Sequence, residues 1–566
     1  MIKCQDKKKC NWSNYVEEGW GLKIDSFKYK NAGYISSWTL CSSNGLKYTG
    51  ETTEDLLNTF RLLIRDYDLK VKDKHTKDIL VIYTEDINKA YWFLYNHGLH
   101  DAFAFYFQIM KNIEIRSCWD GDCKTAEQIA EWAALMIKEV FAPDKYFYIT
   151  SSQISRKRIS KSSKKYGETL AKDIYPKSLD AYNLLREAYF GGILYVPYPG
   201  LIVEEPVIEI DLKSAYIWCL LVMKHVVSIS KKADPANWEY YIDSKNKASF
   251  GRYKIKYSCY TNKITCYKNE NAEHCFKGED IENIFTFTDT DLALFLKEVN
   301  ATSVECLNLF EYDLDYLPQG VREELIDEYI KKERLSREKP GSGSLSVQKV
   351  ILNSVFGNCC RNWDDDFEGF KSDRDKASLA PQWGVWTTSY CKKLILELGN
   401  MLEGWLYSAT DSIYCLDTKE NREKIEKYNE KIRSMTKDFC DTFSYDYEAL
   451  KDLGTFCVKT HIVKFKAFGP NAYIYAEQDG EIVIKASGCT KEYRKGLTQE
   501  EKEALFKVDQ LPTGNRKRGF PNKEKTSCTI DGKTYTSDGS YYYEVYEGDI
   551  ARVAAIAEII RKRFET

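Results

Sequence analysis

Residues 207–216 read VIEIDLKSAY. Four apolar β-formers alternate with or flank two acids, which predicts a buried strand with Asp211 leaving its C-terminal end. Two hundred residues on, YSATDSIYCLD (407–417) reads as two short strands with Asp411 in the turn between them. A carboxylate leaving a strand end is well placed to hold a hard cation. Two such carboxylates brought together can bind Mg²⁺ ions that activate a hydroxyl and stabilise a leaving pyrophosphate. An Asp in this position also caps turns, so neither acid decides the matter alone. Between them in sequence, KVILNSVFG (349–357) predicts a helix on which Lys349 and Asn353, four residues apart, share a face. Lys331, Lys332 and Arg334 precede it. Cations on neighbouring helices suit a triphosphate, whose transfer depends on positioning and charge neutralisation.

Working outward, SLDAYNLLREAYF (178–190) predicts a helix running into Gly191-Gly192. Taken by itself, that glycine pair reads as a plain helix C-cap. Further helices are expected at 321–337 and 389–405, and strands in AYIYAEQDGEIVIKASG (472–488). Residues 151–177 hold eight Lys or Arg (including Arg156, Lys157 and Arg158) against two acids, spaced by serines. The expectation is a linker or exposed loop, either a solvated charge run or a phosphate-contacting patch. Upstream lies a mixed α/β domain of about 140 residues. Strands are expected at 21–29, 33–41, DILVIYT (78–84) and AYWFLYN (90–96), and a helix at TAEQIAEWAALMIKEVF (125–141).

The chain has 566 residues, 43% hydrophobic and 30% charged, enough for several domains with large cores. Its 82 Lys and Arg against 85 Asp and Glu give a charge of −3, which excludes a uniformly cationic nucleic-acid coat but not local patches. The 41 Tyr and 12 Trp supply many rings for stacking. The chain opens MIKCQDKKKC, with no apolar h-region, and carries no run long enough to span a bilayer. Its 18 Cys are therefore expected to be reduced thiols in the cytoplasm. Cys259, Cys266, His274 and Cys275 lack the paired spacing of a zinc knuckle and read as hairpin thiols.

The order of the motifs carries a resemblance. DLKSAY (211–216) resembles motif A of family B DNA polymerases, KVILNSVFG (349–357) motif B, and YSATDS (407–412) motif C. AYFGG (188–192) is similar to the Tyr-x-Gly-Gly junction of the protein-primed branch found in phages, adenoviruses and linear plasmids. KASGCT (485–490) resembles that branch's K-x-x-G-M-T segment. The resemblance covers about 185–500 well and the N-terminal domain poorly.

The resemblance implies an α/β (α+β), multi-domain, right-hand polymerase with an N-terminal RNase H-like exonuclease-type domain. The implied division is 1–150 exonuclease-like, 151–185 basic linker, 186–220 palm with motif A, and 221–320 insertion plus palm strands. It continues with 321–365 fingers, 366–490 palm with motif C and a short second insertion, and 491–566 thumb. Asp211 and Asp411, helped by the Leu212 carbonyl, would hold two Mg²⁺ ions, for which Mn²⁺ can substitute. Tyr216 would reject a 2′ hydroxyl, and Lys349 with Lys332 or Arg334 would bind the triphosphate. Asn353 and Phe356 would line the nascent base pair. Tyr189, Gly191 and Gly192 would touch template, and Tyr473 and Lys485 the primer. The implied partners are a primer-template, dNTPs and a terminal-protein primer, with no membrane, in a monomer that works in the bacterial host cytoplasm if a phage or mobile element encodes it.

Three departures bear on function. Ala409 stands where motif C has its first Asp, and alanine cannot ligate a metal. Asn471 replaces the Lys of the branch's K-x-Y. In the N-terminal domain Asp25 fits a first D-x-E, but Phe27 replaces its Glu, and Asp101 is one position out of register for the second motif. Asp120 and Asp122 precede the helix of the third motif, which lacks its Tyr. A two-metal nuclease needs converging carboxylates, so a degenerate exonuclease without proofreading is expected. Three readings follow: a DNA polymerase, a polymerase-derived nucleic-acid-binding protein with little catalysis, or a polymerase with untemplated synthesis.

Overall fold

The apolar run DILVIYT forms the strand Asp78–Thr84, buried at every position. A strand flanked by parallel neighbours and covered on both faces needs such a run. In the computed structural model the described residues are 14–24, 37–71, 77–94, 99–103, 106–119, 123–144, 146–189, 191–242, 244–261, 266–270, 275, 278–359, 377, 379–486, 497–508 and 511, with short strands at 2–3, 28–30, 33–35, 515–518, 526–530, 533–537 and 542–545. They fall into two units, one built from Met1–Lys157, Lys331–Ser354 and Gly519–Tyr541, the other from Arg158–Ile330, Val355–Arg518 and Tyr542–Thr566.

The first unit is a mixed sheet in the order Lys47–Gly50, Trp38–Ser42, Trp20–Ile24, Asp78–Thr84, Ile113–Ser117, Tyr106–Ile109, Leu99–Phe103. Trp20–Ile24 runs antiparallel to Trp38–Ser42 and parallel to Asp78–Thr84, which is parallel to Ile113–Ser117. The period-2 pleat sends Leu80 and Ile82 into one core with Leu56, Phe60 and Leu63 of the helix Thr53–Asp66. Ile79, Val81 and Tyr83 enter the other, with Ile129, Trp132 and Ala133 of the helix Ala126–Met136. That helix begins at the expected Thr125, where Gln128 completes a capping box. It lies so close to the sheet that a Cβ on Gly21 would come within 2.6 Å of the Ala130 amide.

Two sequence expectations are corrected here. Residues 90–96 were expected to form a strand, but Ile87–Leu94 is a helix. Ala90, Phe93 and Leu94 are buried at 3–4 spacing, a pattern that a short apolar run does not distinguish from a buried strand. The basic run is not a loop: Ser151–Lys165 and Leu170–Ile174 are helices. Ile154 and Ile159 are fully buried, and Ser155 donates to the Ile351 carbonyl at 2.7 Å.

The second unit holds an antiparallel sheet in the order Ile193–Tyr195, Tyr407–Thr410, Ser412–Leu416, Val207–Leu212, Phe456–Gly469, Ala472–Glu477, Ile482–Ala486. The strand carrying Asp211 is thus central, between strands more than 190 residues later in the chain. Tyr407, Tyr414, Phe465 and Tyr475 pack into a core that Tyr473 joins. The helix Pro381–Gly399 is buried almost throughout, and the Trp218 indole donates to Thr436 at 2.9 Å, tying Ala215–Val222 to Lys419–Phe443. Residues 221–320 carry a further antiparallel sheet of long strands, Lys247–Cys259, Gly278–Thr288 and Asn300–Asp315. Cys259 and Cys275 are buried thiols there, as expected of a hairpin, and no described cysteine is bonded to another; His274 lies outside the described residues. No helix among the described residues is long and apolar enough to cross a membrane.

Candidate active site

Strand register places the two acids. Asp211 pairs with Ser412, and Ser412 with Ala409, so the three positions lie abreast. Asp411 sits at the apex of the hairpin, with its amide donating to the Ala409 carbonyl at 2.8 Å. Its own carbonyl accepts from the Leu212 amide at 2.9 Å. Both turns contain a non-glycine residue in the left-handed region, Ser214 at φ +52° and Thr410 at +60°. Strain of this kind persists only where the surroundings enforce it, and it concentrates at functional sites.

Burial, and then the charge of Asp211, push the Asp411 carboxyl up to about 6. Glu209, two residues before Asp211 and on the same face of the strand, is also raised, first by burial. Like charges held together in a half-buried place make a position that a cation relieves. The donors are hard oxygens, the kind that Mg²⁺ takes with water completing its shell. Among the described residues no group of three or more His, Cys, Asp or Glu is arranged to hold an ion. Asp211 and Asp411 are thus a two-carboxylate pair, which fits Mg²⁺ with water and substrate oxygens completing the shell, and Ala409 offers nothing in the place abreast of it. The Lys459 ammonium stands 3.4 Å from the Asp211 carboxylate.

Tyr216 follows the Ser214 turn, and its ring stacks on Phe356 at 3.9 Å between centroids and 13° between planes. Burial raises its phenol, with Tyr189 and Asp411 near enough to add to the effect. Gly192 packs against motif C: a Cβ there would come within 2.6 Å of the Thr410 Cα. The C-cap reading of the glycine pair is overturned. The helix Leu179–Glu187 is capped at Ala188, and neither Gly191 nor Gly192 has a positive φ. Around Gly191 a Cβ would meet nothing within 4 Å. Tyr473 lies opposite Lys485 in its hairpin, and its hydroxyl is 3.0 Å from that of Tyr414. Lys485 is exposed. Asn471 adopts φ +56°, a conformation that asparagine tolerates better than lysine.

The first unit holds the remaining nucleotide candidates. Lys349 and Asn353 are exposed on the helix Gly343–Cys359, whose Val347 and Ile351 are buried. Lys332 pairs with Glu333 at 2.8 Å, and Arg334 is exposed. Of the three basic candidates, Lys157 lies 3.0 Å over the Tyr146 ring and Arg156 is half-buried. Arg158, in the second unit, donates at 2.6 Å to Glu328, only 8% exposed, so its charge is neutralised internally. Asp101 is in the strand Leu99–Phe103, with its side chain outside the described residues, as are Asp25, Asp120 and Asp122.

Two neighbours of the acid pair went unread in the sequence. Glu209 was legible from the strand's alternation, whereas nothing local marks Lys459.

No family model matches the chain, and no curated protein matches it. Solved structures do. Phi29 DNA polymerase complexed with primer-template DNA matches with a TM-score of 0.60 at 13% identity, over 93% of this chain and 100% of that one. Its ternary complex with primer-template DNA and incoming nucleotide matches at 0.57 and 12%, covering 94% and 99%. Its complex with single-stranded DNA matches at 0.59 and 13%, covering 93% and 99%. A mixed α/β, multi-domain chain with three motifs in polymerase order thus has the fold of phi29 DNA polymerase.

Proposed function

We propose that the chain is a template-directed DNA polymerase of the protein-primed family B type, adding deoxynucleotides to a 3′ hydroxyl. The observation that carries this is Asp211 and Asp411 held together across the Leu212–Asp411 hydrogen bond, with Tyr216 beside them. The two carboxylates, with the Leu212 carbonyl, would hold two Mg²⁺ ions, or Mn²⁺ in their place. Bound there, such ions supply Lewis-acid activation of the hydroxyl and charge neutralisation for the leaving pyrophosphate. The Tyr216 ring bears on the incoming sugar and excludes a 2′ hydroxyl, while Phe356 and Asn353 line the new base pair. Lys349, with Lys332 or Arg334, neutralises the triphosphate. Lys332 must first exchange its partner Glu333. Tyr189 and the Gly191–Gly192 pair contact template, and Tyr473 and Lys485 the primer side.

Phi29 DNA polymerase, whose fold this chain shares, is complexed with primer-template DNA and incoming nucleotides, and the same ligands suit this site. Residues 221–320, which carry the long sheet, are read as the insertion that would receive a terminal-protein primer. A replication enzyme of a phage or other mobile element, acting as a monomer in a bacterial cytoplasm, accords with this reading. The N-terminal domain is read as a degenerate exonuclease, because Phe27 removes one of the carboxylates that a two-ion nuclease needs.

A second reading, a nucleic-acid-binding protein with little catalysis, is favoured by Ala409 and by the eroded exonuclease motifs. Primer extension by this chain beside Ala409→Asp separates the two. Extension by either version supports the enzyme. If neither extends while a labelled primer-template still binds, the binding protein is correct. Growth of a strand without template would indicate untemplated synthesis.

A further inference from the structure

The pairing of Val207–Leu212 with Phe456–Gly469 is interrupted at one place. Asp211 pairs with Cys457 and Ile210 with Val458, but Glu209 pairs with Thr460, which leaves Lys459 as an extra residue in the ladder. A bulge of this kind bends its strand and re-aims a side chain, and bulges concentrate beside active sites. Here the re-aimed chain is an ammonium, 3.4 Å from the Asp211 carboxylate and half exposed. Its charge also bears on Asp411 and Glu209. Three acids thus face one lysine, beside an alanine that removes a fourth carboxylate.

We propose that Lys459 is a positioning residue that serves as a built-in cation at the Asp211–Asp411 pair, weakening its hold on divalent ions. This rests on the polymerase reading and deepens it. An ammonium beside Asp211 offsets repulsion among the acids when no ion is bound, and repels any ion that arrives. A half-exposed ion pair contributes little to stability, so the bulge is better explained by the electrostatics of the site than by folding. Removing one unit charge a few ångströms from a divalent ion strengthens binding by about tenfold, after allowance for solvent screening.

The test is a Mn²⁺ titration of the full chain, followed by the paramagnetic signal of the free ion, without DNA or nucleotide. Lys459→Met should bind Mn²⁺ about tenfold tighter than the parent, Lys459→Glu tighter still, and Lys459→Arg like the parent, with melting temperatures unchanged. This order follows charge. Damage to the fold would weaken binding in every variant instead. Asp211→Asn marks the site. If Mn²⁺ uptake depends on Asp211 but Lys459→Met leaves the affinity unchanged or weaker, the inference is wrong and the polymerase reading stands. If uptake ignores Asp211, the inference and the metal assignment fall together.

Discussion

Gly192 lies against Thr410 so closely that a methyl group on its α-carbon would come within 2.6 Å of the Thr410 Cα and 2.7 Å of its methyl carbon. Thr410 is the left-handed residue at the hairpin apex, and the next residue is Asp411. The junction glycine therefore sets how near the chain passes to motif C, through space and not through backbone freedom.

Gly192→Ala should push the apex aside at a cost of about 1–3 kcal/mol, typical of overpacking, while Gly191→Ala should leave stability unchanged. Primer extension should fall at least about tenfold in the first variant and by less in the second. Equal activities would remove Gly192 from the site.

Tyr216→Ala removes one ring of the 3.9 Å stack with Phe356. In an Ala409→Asp background, discrimination against ribonucleotides should drop by about 10–200-fold, the range that one steric contact supplies. Competitive incorporation of dNTP and rNTP measures it. Unchanged selectivity would mean that the ring serves packing alone.

The acids were legible because a strand-end Asp and a turn Asp are local signals, and their order with a Lys–Asn helix is not common. Their spatial pairing was not legible, because it depends on register between strands about 200 residues apart. Gly192 looked like a helix cap because the sequence shows only that a helix precedes it; what it meets is contributed by residue 410. The basic run misled through composition. Serines that suggest a linker also bond from one helix to another, as Ser155 does to Ile351, and Arg158 was paired to Glu328 by a fold that the local sequence does not reveal. Lys459 was hidden because a one-residue bulge leaves no mark in the pattern of a strand.

The N-terminal domain should not proofread. A 3′-labelled single strand incubated with this chain and Mg²⁺ should stay intact over a time in which primer extension by the Ala409→Asp version completes. Degradation abolished by Asp25→Ala would restore a working nuclease to the first unit and overturn the reading drawn from Phe27.

Asp411 also makes stability depend on pH and on ions. Its carboxyl is raised to about 6 by burial and by Asp211, above its ordinary value. Between about pH 4 and 6 the folded chain therefore keeps a proton that the unfolded chain has released. By linkage, stability falls as pH rises through that window and levels off above it. A shift of this size corresponds to roughly 3 kcal/mol. In chelator, the melting temperature should thus decline from pH 4.5 to 6.5 more steeply for the parent than for Asp411→Asn, which cannot ionise there. Millimolar Mg²⁺ should recover the loss at pH 6.5 in the parent alone, because an ion bound to the ionised pair stabilises the form that repulsion opposes. Parallel slopes in the two proteins would show that the two carboxylates do not share a field, and the grouping on which the active-site assignment depends would fail with them.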